Sequence, residues 1–313
     1  MLKALRNFLI GLIFGAIVFF LALPYVFFDT PPWIYYADAL NDHLRTTQDT
    51  RQLAHYFDDS GQHLPILTYR YFVEADEEGN PVGGEGMTLE QFERQMKTLH
   101  DIGCTFIDSA TLLDCIDNNK ALPERAVLIT FDDCSSDIYT KAFPILKKYN
   151  IHATVNVIGY YMEHRSNYHT PLLTPEQLFE MRDSGLIDLQ SETFYSYVTM
   201  LNEDGTFTYP FSQQKQNENW DQYYNRLTKD LLRNNIKIMT IQGEAPVALA
   251  YPYGASNATT SQAMENVGLR LGFDTASNTC MRFAYGVDPY HLPRYEMNTN
   301  FKYMKDFLLF INS

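Results

Sequence analysis

AVLITFDDCSSD, residues 126–137, sets an unbroken apolar run directly against a pair of carboxylates. Six residues rich in β-branched and aliphatic side chains, bounded by polar ones, read as a strand buried on both faces. Where such strands alternate with helices, the loops at their carboxyl ends converge, and chemistry collects there. Two acids at that point either divide metal-binding and general-base work or cap the following helix.

Outward from this stretch the same grammar repeats. PILTYRYF (65–72), ATVNVIG (153–159), LIDLQS (186–191) and VALAYP (247–252) are compact apolar runs of strand length. Between them lie helical patterns with recognisable ends. Thr88 precedes LEQFERQMKTLHDIG, in which Glu90 and Gln91 occupy the first turn, Phe92, Met96 and Leu99 share a face, and Gly103 stops the helix. Thr174-Pro175 opens a second helix that Gly185 closes, and Trp220 to Ile241 is a third. The pattern predicts one continuous α/β domain from about Leu64, with βα units around a parallel sheet or barrel. Two further strand ends carry unusual polar groups: QSETFYSY (190–197) and AYPYGASN (250–257).

The formal net charge of −14 makes nucleic acid a poor partner, because such a surface repels phosphate backbones. Phe8 to Phe28 is free of charge and long enough to cross a bilayer as a helix. Lys3 and Arg6 precede it and Asp29 follows, which predicts a cytoplasmic amino terminus and an uncleaved anchor, with bulky Tyr25, Phe27 and Phe28 where a signal peptidase would cut. The expected organisation is a cytoplasmic tip and anchor over 1–29, a helical juxtamembrane stalk over 30–62, and the domain over 63–313, outside the cell membrane. Cys104, Cys115, Cys134 and Cys280 have neither CxxC spacing nor the density of a disulfide framework, so buried free thiols are the simpler expectation beside a Cys104–Cys115 bridge.

LPERAVLITFDDCSSDIYTKAFPILKKYNIHATVNVIG, LTPEQLFEMRDSGLIDLQSET, VALAYPYGASN and LPRYEM (292–297) together resemble the polysaccharide deacetylase family, the NodB-homology domain or carbohydrate esterase family four. The similarity runs from about Leu64 to Arg294 and touches the branch that handles secreted poly-N-acetylglucosamine. It implies a distorted (β/α) barrel and carbohydrate N-deacetylation. By the same resemblance Asp132 is the general base, Asp133 a ligand of a divalent metal (zinc in the family), and Arg294 the residue that tunes the base. Tyr251, Pro252 and Tyr253, with Gly254, would shape the groove, beside Phe194. The partner implied is an N-acetylated cell-envelope polysaccharide.

The departures fall on the metal positions. The family's first histidine is Glu192, its second Ser196 or Tyr197, its early YH motif Tyr69-Arg70, and its glycine after the acid pair Cys134. None of the eight histidines stands at an expected ligand position; His291, beside LPRYEM, reads as structural. Asp133 and Glu192 with Tyr197 or Ser196 form an oxygen-only set, better suited to magnesium, calcium or manganese than to zinc. Arg70, if it points inward, brings a fixed positive charge that would pair with Asp132, Asp133 or Glu192 in place of an ion. The sequence therefore predicts a membrane-anchored, deacetylase-like protein with impaired metal hydrolysis and a glycan-binding or scaffolding role. The second reading is an active deacetylase with a carboxylate-rich site; the third is an interaction protein whose groove is closed.

Overall fold

The apolar runs become short strands of one parallel sheet: β1 (Ile66–Tyr69), β2 (Thr105–Phe106), β3 (Ala126–Phe131), β4 (Ala153–Val157), β5 (Ile187–Ser191), β6 (Ala248–Ala250), β7 (Leu271–Phe273) and β8 (Tyr295–Glu296). The computed structural model describes residues 53–57, 63–76, 81–82, 86–164, 171–202, 205–274, 281–283, 287–298, 301 and 303–312. The strand order is β7-β6-β5-β4-β3-β1-β8, with β2 beside β3. A single parallel bridge between Phe273 and Leu292 brings the two rims towards each other. The result is a curved parallel sheet, a half-barrel of α/β type, where the sequence led us to expect a distorted barrel. The 65–72 run is not one strand: it leaves the sheet after Tyr69, and Phe72–Ala75 pairs instead with Pro81–Val82 and Met87–Thr88.

Alternation along the strands sorts the side chains. Leu67, Val127, Ile129, Phe131, Val155 and Leu189 pack into the main apolar cluster together with the helices. On the opposite face Ile66, Ala126 and Leu128 join a second apolar cluster, and the remaining intervening positions of β1, β3, β4 and β5 are the polar Thr68, Thr130, Thr154, Asn156, Asp188 and Gln190. Of these, Thr68, Thr130 and Asn156 frame the site.

The helices begin and end where their caps demand. α1 (Leu89–Asp101) starts on Thr88, whose hydroxyl accepts the Gln91 amide, and buries Phe92, Met96 and Leu99. α2 is Ser109–Asp117, α3 Phe143–Tyr149 and α4 Pro175–Asp183; α4 opens with a reciprocal capping box between Thr174 and Gln177. α5 (Trp220–Gln242) is capped by Asn219 and Gln222 and stopped by Gly243 at φ 89°, a left-handed conformation glycine adopts without strain. α6 (Ala258–Asn266) packs beside it, and α7 (Met304–Ile311) buries Phe307 and Leu308.

The anchor over Phe8–Phe28 lies outside the described residues, and among the described residues no helix is long and apolar enough to cross a membrane. Of the stalk over 30–62 only Leu53–Phe57 is described; Leu53 and Phe57 pack into the main cluster. Cys104, Cys115 and Cys134 are free thiols, and Cys280 lies outside the described residues.

Candidate functional site

Asp132 follows β3 directly, and its amide still reaches the ladder by donating to the Tyr69 carbonyl at 3.1 Å. Its side chain points to Arg294, which precedes β8 and is fully buried. The pair is bidentate: Nη1 donates to Oδ1 at 2.9 Å and Nη2 to Oδ2 at 2.8 Å. Arg294 also donates to the Thr68 and Thr130 hydroxyls and to the Asp274 carbonyl, and Asn156 Nδ2 donates to Asp132 Oδ1 at 2.7 Å. Burial alone would raise the Asp132 carboxyl, but Arg294 holds it below the usual carboxylate range.

Asp133 turns the chain. It and Cys134 adopt φ of 67° and 53°. The left-handed region costs a non-glycine residue about 1–2 kcal/mol, which explains why the related pattern has glycine where this chain has Cys134. The thiol compensates by accepting the Ile158 amide at 3.1 Å and donating to the Asn156 carbonyl at 3.5 Å. The Asp133 amide donates to Glu192 Oε2 at 3.0 Å, and its Oδ1 accepts the Tyr197 hydroxyl at 2.7 Å. Asp133 Oδ2 is buried with no hydrogen-bond partner. Neither acid caps a helix, so the capping alternative falls away.

Glu192 directly follows β5 and is 3 % exposed. Burial first, then the charges of Asp132 and Asp133, push its carboxyl well above its ordinary value. Burial, then Asp133 and Glu192, raise the Tyr197 phenol likewise. Thr193 takes φ 70°, and the next three amides, of Phe194, Tyr195 and Ser196, all donate to the Asp230 carboxylate of α5 at 2.9–3.0 Å. Asp230 thus fixes the loop that delivers Tyr197 to Asp133. No sequence motif marks it.

Several expected groove residues are elsewhere. Arg70 does not pair with Asp132, Asp133 or Glu192; its Nε stands 3.5 Å from Glu296 at the rim, although all four carboxylates raise its pKa against the lowering effect of burial. Tyr251 is buried, its hydroxyl donating to the Tyr290 carbonyl, and Pro252 is buried beside it. Phe194 is 3 % exposed, with the Arg233 guanidinium 3.7 Å from its ring centre; with Tyr160, Tyr195 and Ser196 it lines a cavity of about 430 Å³ beside Asp230. Ser196 and Cys134 are buried too. The side chains that do face outward are Tyr253, stacked on Tyr197 at 5.2 Å and edged by Tyr209 at 5.1 Å, and Tyr71, half-exposed and close enough to Asp133 to feel its charge after burial has raised its phenol. Sequence reasoning missed Tyr71, Tyr209, Asn156 and Asp230. His291 lies 3.6 Å from Asp274, away from the acids.

A catalytic zinc takes three protein ligands, drawn from imidazole, thiolate and carboxylate, with one position left for water. Among the described residues no three His, Cys, Asp or Glu side chains are placed to hold one ion. Asp133 Oδ1 already accepts a hydrogen bond from the Tyr197 hydroxyl, and Glu192 Oε2 one from the Asp133 amide. The residues present do not fit the zinc implied by the motifs.

The sequence profile of the family described as polysaccharide deacetylase matches residues 119–272. YxkH of Bacillus subtilis (strain 168), described as a polysaccharide deacetylase, is 32 % identical over 219 residues, 70 % of this chain and 67 % of its own length. The poly-β-1,6-N-acetyl-D-glucosamine N-deacetylase of Staphylococcus epidermidis is 29 % identical over 208 residues, 66 % of each chain. The chain therefore spans about two thirds of the length of these relatives. Among solved structures, a de-N-acetylase from Aggregatibacter actinomycetemcomitans superposes with a TM-score of 0.66 at 22 % identity, covering 78 % of this chain and 99 % of its own, a likeness of fold.

Proposed function

Because the chain belongs to the polysaccharide deacetylase family, we propose that it is a member that binds N-acetylated envelope glycan without metal-dependent hydrolysis, held at the outer face of the cell membrane by Phe8–Phe28. The observation that carries this reading is the Tyr197 hydroxyl on Asp133 Oδ1, with Glu192 on the Asp133 amide and, among the described residues, no three His, Cys, Asp or Glu side chains placed to hold an ion. An aspartate with one oxygen given to a phenol, beside a carboxyl that burial pushes well above its ordinary value, is a poor cation trap. Asp132 is equally occupied: Arg294 and Asn156 engage both its oxygens, and a depressed pKa makes a weak general base near neutrality. Tyr253, with Tyr197 and Tyr209 behind it, supplies the aromatic surface against which a sugar ring packs.

A second reading, hydrolysis over a carboxylate-held cation, is favoured by Asp133 Oδ2, a buried oxygen with no partner. One experiment separates the two. The full chain, in a detergent without a sugar headgroup, is titrated calorimetrically with zinc, manganese and magnesium, then with N-acetylglucosamine oligomers while acetate is assayed. Saturable oligomer binding, weakened by Tyr253→Ala, with no stoichiometric metal uptake and no acetate, is expected. Stoichiometric metal binding abolished by Asp133→Ala, accompanied by acetate release, would sink the non-hydrolytic reading.

A further inference from the structure

A second cavity lies away from the acids, between α5 and α6. It is an open cleft of about 580 Å³, lined by Trp220, Asp221, Tyr224, Thr259, Gln262, Glu265 and Asn266. Trp220 is 62 % exposed, although a ring of that size is ordinarily turned inward. Its position follows from the cap: Asn219 begins α5, so Trp220 takes the first helical position, and Tyr224 follows one turn later on the same side. From α6 come Thr259, Gln262 and Asn266, spaced three and four apart and so on one face, with Glu265 at its edge.

The composition is that of a ligand cleft: an aromatic floor and a few polar groups to fix orientation. The charge then chooses among ligands. Asp221 and Glu265 have no ion-pair partner among the described residues, and no cation lines the cavity. The amino end of α5 contributes roughly half a positive charge, which Asn219 and Asp221 already answer, so carboxylates dominate the local field. A neutral sugar would gain the aromatic contact alone. A sugar carrying a free ammonium gains both the carboxylates and the face of the indole, the aromatic ring that best attracts a cation.

We propose that the α5–α6 cavity is a binding site for amino-sugar oligomers bearing free amines, separate from the Asp132–Asp133 cluster and independent of whether that cluster hydrolyses anything. Trp220 stacks on one sugar face, Asp221 and Glu265 receive the ammonium groups, and Gln262 and Asn266 hydrogen-bond the hydroxyls. The chain holds two tryptophans, Trp33 and Trp220, so a Trp33→Phe variant reports on this cavity alone.

The test is a fluorescence titration of that variant, full-length and in a detergent without a sugar headgroup, with glucosamine tetramer and with N-acetylglucosamine tetramer. Glucosamine tetramer is expected to change Trp220 emission saturably, binding about tenfold tighter than the acetylated form, a difference of ~1.4 kcal/mol. Asp221→Asn with Glu265→Gln should remove that preference, and calorimetry on Trp220→Ala combined with Tyr253→Ala, its fold checked by circular dichroism, should show the site lost where Tyr253→Ala alone retains it. Equal affinity for the two tetramers, no saturable response to either, or equal glucosamine binding by Tyr253→Ala with and without Trp220→Ala would each overturn the assignment. Tyr253→Ala should leave this titration unchanged, which keeps its outcome separate from that of the glycan groove.

Discussion

Arg294 and Asp132 are bound to each other so completely that neither can be removed cheaply. Taking one charge from a buried pair strands the other, at about 3–5 kcal/mol. Arg294→Met should therefore lower stability by that order, and Asp132→Asn in the same chain should recover a large part. Denaturant unfolding of the two single variants and the double completes the cycle; additive losses would mean that the pair is not coupled. Tyr197→Phe tests the neighbouring bond. It removes the 2.7 Å donor from a buried carboxylate, so a loss of about 1–3 kcal/mol is expected in the same assay. At this scale the acid pair, Glu192 and Arg294 were legible, since each stands inside an ordered motif. Asn156 and Asp230 were not: a lone polar residue in a strand or helix carries no local signal of what it touches.

The loop from Glu192 to Tyr197 is held by a different element. Three successive amides converge on Asp230 of α5, and Gly159 gives the loop room. A methyl at 159 would come within 2.3 Å of Asn234 Oδ1 and 2.7 Å of Phe194 Cδ2. Gly159→Ala should thus cost about 1–3 kcal/mol through overpacking. Asp230→Ala removes every acceptor and should cost about 2–3 kcal/mol, whereas Asp230→Asn keeps one oxygen and should cost less. If thermal unfolding ranks the two variants equally, the amides have found other partners and the loop does not depend on Asp230. Helices α1, α4 and α5 were readable because caps and apolar periodicity agree there. The loops offered no period. Tyr251 and Phe194 look as suited to a groove as Tyr253 and Tyr71, yet only the backbone path turns the second pair outward. The direction of Arg70 stayed open in the sequence for the same reason: it follows the last residue of β1, where alternation stops predicting direction.

Over the whole molecule, charge and burial combine in one pH dependence. Asp188 on β5 and Asp230 on α5 are largely buried, and burial raises both carboxyls above their ordinary values. An acid whose folded pKa exceeds its unfolded one binds more protons folded than unfolded. Its contribution is complete below the unfolded value, about 3.9, and is lost as pH rises through the folded one. The net charge of −14 acts in the same direction, since self-repulsion grows as the remaining acids ionise. Salt separates the two effects. Raising ionic strength from about 0.01 to 0.15 M shortens the screening length from roughly 30 to 8 Å, which quiets surface repulsion but barely reaches buried groups. The melting temperature should therefore fall as pH rises from about 3.9 through the raised folded values of these acids, less steeply in salt, with a residual slope that Asp230→Asn reduces. A slope that salt abolishes entirely would assign the whole effect to the surface and leave the buried acids without influence on stability.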